Sequence, residues 1–132
     1  MKLRMLGDSL RLRLTMSETL KIGKGQSVSA TTTFPDGSKF GYVLSVEGEG
    51  VRAGVALHTG QGMQQGLHQL SVTVPKHLAV RWSESTDVAL GGDEPINVDG
   101  LQVLIEKDFD CVSPRAGEED VDTFPNPSLT NC

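Results

Sequence analysis

The chain has 132 residues, 37% of them hydrophobic and 22% charged. That size and balance suit one sizeable core and exclude a disordered polymer. The formal net charge of −5 argues against nucleic acid as the main partner. No apolar run approaches the roughly 18–20 residues that a membrane-crossing helix needs, which argues against a membrane partner.

The first fourteen residues read as a β-hairpin. Gly7-Asp8 is a two-residue turn signal between short alternating runs. The expected pairs are Leu6–Ser9, Met5–Leu10, Arg4–Arg11, Leu3–Leu12, Lys2–Arg13 and Met1–Leu14. Side chains alternate along a strand, so Met1, Leu3, Met5, Leu10, Leu12 and Leu14 share an apolar face. The other face carries Lys2, Arg4, Arg11 and Arg13. Like charges facing each other across strands are destabilising, so this face calls for nearby anions. Alternation of Leu with Arg does not read as a secretory signal, and the expected location is the cytoplasm.

The remaining elements follow in order. Thr15-Met16-Ser17-Glu18 has the form of a capping box and predicts a short helix over Met16–Ile22, ended by Gly23. Met16 and Leu20, four apart, are expected to face the sheet. Ser27–Phe34 and Lys39–Glu47 read as strands joined by the turn Pro35-Asp36-Gly37. Val51–His58 reads as the next strand of this meander, with Gly54 as a candidate bulge. After a glycine-rich loop over 59–66 comes a strand, Leu67–Val74. Pro75 then opens a short helix bearing Leu78, Val80 and Trp82. Asp87–Leu90 reads as a short strand, Gly91–Gly100 as loop and Leu101–Glu106 as the last strand. No internal repeat is evident. From Lys107 onward Pro, Asp, Glu and Asn predominate, with Phe109, Val112, Phe124 and Leu129 as apolar anchors.

Charge is unevenly spread along this path. Residues 1–24 carry Lys2, Arg4, Arg11, Arg13, Lys21 and Lys24 against Asp8 and Glu18. Residues 106–122 carry Glu106, Asp108, Asp110, Glu118, Glu119, Asp120 and Asp122 against Lys107 and Arg115. The two ends are electrostatic complements. The expected fold is therefore α+β: a single twisted antiparallel sheet of about six to eight strands, open or partly closed into a barrel, with two short helices. The expected organisation is one domain over 1–132, a sheet-rich body (1–106) and a docked acidic tail (107–132).

Three chemistries compete for the candidate site. In the first, Asp108, Asp110, Glu118, Glu119, Asp120 and Asp122 lie across Lys2, Arg4, Arg11 and Arg13 and fix the tail. In the second, the same cations bind a phosphate or carboxylate ligand. No Glu-x-Glu-x-Lys run opens the chain to support a metal-dependent phosphate enzyme, and Glu47-Gly48-Glu49 sits in a turn. In the third, Cys111 and Cys132 bind a metal, joined by His58, His68 or His77 or by a second copy's cysteines. Reduced thiols and a disulfide are the alternatives. His58 and His68, flanking the glycine-rich loop with Gln61, Gln64 and Gln65, could face each other across a hairpin. The acidic run lacks the spacing of a calcium loop. No nucleophile elbow or phosphate-cradling loop is present. Trp82 and Tyr42 read as core.

Both ends of the chain resemble a family of small uncharacterised bacterial proteins. The resemblance rests on Lys2-Leu3-Arg4, on Gly7-Asp8-Ser9-Leu10-Arg11-Leu12-Arg13-Leu14, and on Glu106-Lys107-Asp108-Phe109-Asp110-Cys111. It continues in Glu119-Asp120-Val121-Asp122-Thr123-Phe124-Pro125-Asn126-Pro127, with Val74-Pro75 and Trp82 between. It implies an intracellular bacterial protein and brings no activity or cofactor. The reading is a small binding or interaction protein, its partner a small anion or another protein, with the cofactor unknown. An anion-handling enzyme and a metal-binding protein are the alternatives. A free sheet edge also leaves pairing into a homodimer open.

Overall fold

A computed structural model describes residues 1–58, 66–109, 122, 124 and 125. The strands are β1 (Lys2–Leu6), β2 (Ser9–Leu14), β3 (Val28–Thr33), β4 (Lys39–Val46), β5 (Arg52–His58), β6 (Leu67–Val74), β7 (Ile96–Val98) and β8 (Leu101–Lys107). The helices are α1 (Met16–Gly23) and α2 (Lys76–Glu84). The class is α+β, but the strands form two mixed four-stranded sheets instead of one antiparallel sheet. Their orders are β1-β2-β8-β7 and β3-β4-β6-β5, and neither closes into a barrel.

In each sheet the central pair is parallel. Strand β2 pairs with β8, and β4 with β6. The expected meander through 51–58 is therefore corrected: β5 pairs with β6, not β4. Its register is continuous through Gly54, so there is no bulge there. Strand β7 lies within the stretch read as loop. The expected strand over 87–90 contributes only an isolated bridge, Ala89 to Glu106.

The topology contains a repeat that the residues conceal. Residues 2–46 run hairpin, helix, hairpin, and residues 52–107 do the same. Exchanging β1-β2-β8-β7 for β5-β6-β4-β3 maps one sheet onto the other. Buried positions follow this mapping: Leu10 with Leu70, Leu12 with Val72, Leu14 with Val74, Thr19 with Ala79, and Ile22 with Trp82. So do hydrogen bonds. Asp108 N donates to Leu14 O at 2.8 Å, and Glu47 N donates to Val74 O at 2.9 Å. Every sheet takes one hairpin from each half, so neither half builds a sheet alone.

One core draws on both sheets and both helices, including Leu12, Leu14, Ile22, Leu44, Val72, Val74, Trp82 and Ile105. Burying one such aliphatic side chain contributes about 1.5–3 kcal/mol. The helices meet at equivalent positions: a Cβ on Gly23 would fall 2.1 Å from Ser83 Oγ and 2.5 Å from Ser83 Cβ. Glycine is what permits that approach. Helix α1 starts as its capping box requires, with Thr15 Oγ1 accepting from Glu18 N and Glu18 Oε1 accepting from Thr15 N. The expectation that Met16 and Leu20 face the sheet fails, since both are exposed and Thr19 and Ile22 are buried instead. The helix meets the core through the stripe that includes Gly23, next to α2.

Candidate functional site

The β1–β2 hairpin puts its basic residues on the sheet face away from the core. Arg4 lies opposite Arg11, and Lys2 opposite Arg13. The parallel neighbour β8 then sets Leu104 beside Arg11, Glu106 beside Arg13, and Gln102 beside Ser9. Glu106 Oε1 accepts from Arg13 Nε at 3.3 Å and lies 3.1 Å from Arg11 Nε in a second ion pair. Lys2 Nζ lies 3.0 Å from the Asp108 carboxylate, whose side chain is almost fully buried. Partly exposed pairs of this kind contribute about 0–1 kcal/mol each. Their effect is to give Lys2, Arg11 and Arg13 each a carboxylate.

The fourth cation is different. Arg4 makes no ion pair among the described residues. It lines a cavity of about 270 Å³ with Leu6, Ser9, Arg11, Gln102 and Leu104. The cavity thus sets two guanidinium groups (that of Arg11 already paired with Glu106), a hydroxyl and an amide among apolar side chains.

Other residues singled out from the sequence fall as follows. Asp122 lies against the start of α1, where its carbonyl accepts from Met16 N at 3.0 Å and its carboxylate accepts from Ser17 Oγ. That hydroxyl holds the Asp122 carboxyl below its ordinary range. Phe124 N donates to Asp108 O at 2.7 Å, and the Phe124 ring packs on Phe109 with centroids 5.6 Å apart. Asp110, Glu118, Glu119 and Asp120 lie outside the described residues, as do Cys111, Cys132, Gln61, Gln64 and Gln65. Among the described residues, no group of three or more His, Cys, Asp or Glu side chains is placed to hold a metal. His58 and His68 do not face each other: His58 pairs with Leu67 and His68 with Leu57, which puts the two rings on opposite faces. His58 instead shares a hydrogen bond with Gln69, 2.9 Å from Nε2 to Oε1.

Three residues gain roles that the sequence reading did not give them. Glu106, read as the end of a strand and as one of the acids complementing the basic end but not as a partner of the arginines, is the carboxylate shared by two of them. Lys107, read as the start of the tail, is 5% exposed. Its Nζ donates to Ser85 O at 2.6 Å and lies 5.5–6.0 Å from the Phe124 and Trp82 ring centroids. Burial pushes its ammonium pKa down, against the opposing pull of Asp87. Glu18, read as a cap, also takes the Met1 amino group at 2.7 Å. Burial pushes its carboxyl up, but that ammonium and Thr15 together outweigh burial and hold it below the usual value.

No helix among the described residues is long and apolar enough to cross a membrane. No curated protein and no solved structure matches the chain. A family profile does, over residues 1–128, and the chain accordingly belongs to DUF7009, a family of unknown function.

Proposed function

We propose that the protein acts by binding rather than by catalysis, and that its ligand is a small phosphate or carboxylate anion received between Arg4 and Arg11. The observation that carries this reading is that Arg4, without an ion pair among the described residues, lines a cavity with Arg11, Ser9 and Gln102, while Glu106 serves Arg11 and Arg13 and Asp108 serves Lys2. The repeated topology adds support. In the other sheet, Gly54 and Ser71 stand where Arg4 and Arg11 stand, and Val43 stands where Leu104 does. The counterpart face keeps a cation at Arg52, where Lys2 stands, but the architecture is built there without the arginine pair, which is therefore not a demand of the fold. Guanidinium groups suit the task because their planar donors match the oxygens of phosphate and carboxylate.

The test is calorimetric titration of the chain with inorganic phosphate and with citrate, alongside Arg4→Glu. Saturable binding of either anion, lost in Arg4→Glu with the melting temperature unchanged, is the expected result. A substitution at an exposed position without partners costs within about 0.5 kcal/mol. Equal binding by the variant, or none by the native chain, overturns the proposal.

A further inference from the structure

The repeat also allows one half of the molecule to report on the other. In the first half, Asp122 and Phe124 are inserted between the start of α1 and the residues that follow β8. Met16 N donates to Asp122 O, Ser17 Oγ donates to the Asp122 carboxylate, and Phe124 N donates to Asp108 O. The equivalent positions in the second half are Lys76 for Met16, His77 for Ser17, Val80 for Leu20, Glu47 for Asp108 and Gly48 for Phe109. These surround a second feature of the surface, an open groove of about 990 Å³ lined by Gly48, Glu49, Lys76, His77, Val80 and Arg81, with Glu84 at the helix end. Lys76 N and Glu47 O, the counterparts of the groups that hold Asp122 and Phe124, make no backbone hydrogen bond with any described residue.

Three features of the groove suit an inserted segment. Lys76 and His77 offer a cation and a ring N–H where Ser17 meets a carboxylate. Val80 supplies an apolar wall. Gly48, with φ +75° and nothing within 4 Å of where its Cβ would lie, opens the position that Phe109 fills in the first half. The space shared there by two aromatic rings is left to one ring of the occupant. Main-chain bonds at Lys76 N and Glu47 O would set its register, as in other recognition of segments by exposed backbone.

We infer that the groove between α2 and Gly48 is a docking site for a partner protein, which inserts a segment with a carboxylate two residues before an aromatic side chain. The pattern is that of Asp122 and Phe124 on α1. Glu49 and Glu84 at the margins disfavour further acids in the partner beyond that single carboxylate.

The probe is an end-blocked, fluorescein-labelled peptide with the sequence of residues 121–127, added to the full-length chain and followed by anisotropy and by amide chemical shifts. Saturable binding is expected, with shifts at Gly48, Lys76, His77 and Val80. His77→Glu should weaken it about ten-fold, a difference of about 1.4 kcal/mol, with an unchanged melting temperature. Replacing Asp by Lys in the peptide should weaken it likewise. Absence of saturable binding overturns the inference. Shifts confined to Met16, Ser17 and Leu20 also overturn it, since the peptide would then be exchanging with the chain's own segment. So does concentration-dependent self-association abolished by His77→Glu, which would make a second copy the occupant.

Discussion

The two halves of the molecule follow one path through space with different materials. At the core they agree in kind: Leu10, Leu12 and Leu14 in the first half answer Leu70, Val72 and Val74 in the second, all buried. Away from the core they part. Helix α1 begins in a complete capping box, whereas α2 begins at Pro75 with no side-chain cap. Val46 in one half is Lys107 in the other. Arg11 and Arg13 on one sheet correspond to Ser71 and Thr73 on its counterpart. Packing constrains the shared positions, because a close-packed interior responds to every methylene. The polar shell is free of that constraint, so both sites proposed above lie where the halves differ.

That comparison can be broken first at its largest mismatch. Trp82 and Ile22 occupy equivalent places, both buried, and Trp82 Nε1 also donates to Val88 O at 3.0 Å. Trp82→Ala should cost about 3–5 kcal/mol and Ile22→Ala about 2–5 kcal/mol, read from chemical denaturation. A cost below 1 kcal/mol at either position would mean that the core does not depend on both halves. The helix crossing gives the next effect. Gly23→Ala should cost about 1–3 kcal/mol by overpacking against Ser83, and adding Ser83→Gly should recover most of it. Independent, additive effects in that double-mutant cycle would remove the contact between helices as the explanation.

The smallest effect separates the two helix starts. Thr15→Ala should cost about 0.5–2 kcal/mol by loss of the cap. It should also flatten part of the acid response. The Glu18 carboxyl is lowered in the folded state, so its stabilising contribution is present above its unfolded value of 4.5 and is lost as pH falls through the folded one. Melting temperatures across the acid range, compared between the native chain and Thr15→Ala, check this. Identical acid profiles would show that the Thr15 hydroxyl is not among the groups that hold Glu18 ionised, leaving the Met1 ammonium and the Thr15 backbone N–H, which the substitution does not remove.

Much of the local structure was legible in the residues. The hairpin register from Lys2–Arg13 to Leu6–Ser9 follows directly from Gly7-Asp8 and the alternating pattern. The box Thr15-x-x-Glu18 and the helix after Pro75 were legible for the same reason, since caps and turns are short-range chemistry. Pairing between distant strands was not. Whether Lys39–Val46 lies beside Arg52–His58 or beside Leu67–Val74 depends on how a central pair is buried, and both choices satisfy the same alternation. The repeat escaped notice because equivalent positions share burial without sharing residue type, as Ile22 and Trp82 do. At the basic face, the need for anions was evident from Arg4 opposite Arg11. Which carboxylates meet it was not, because Glu106 reaches the arginines only through the parallel pairing of β2 with β8.

That parallel pairing has a consequence for synthesis. Leu10, Leu12 and Leu14 emerge from the ribosome long before their neighbours Val103, Ile105 and Lys107, with both helices and five other strands made in between. The nascent hairpin must wait with its apolar face uncovered, in a topology whose distant contacts slow closure. During that wait the cations Lys2, Arg4, Arg11 and Arg13 on its reverse side repel a second nascent hairpin and oppose edge-to-edge aggregation.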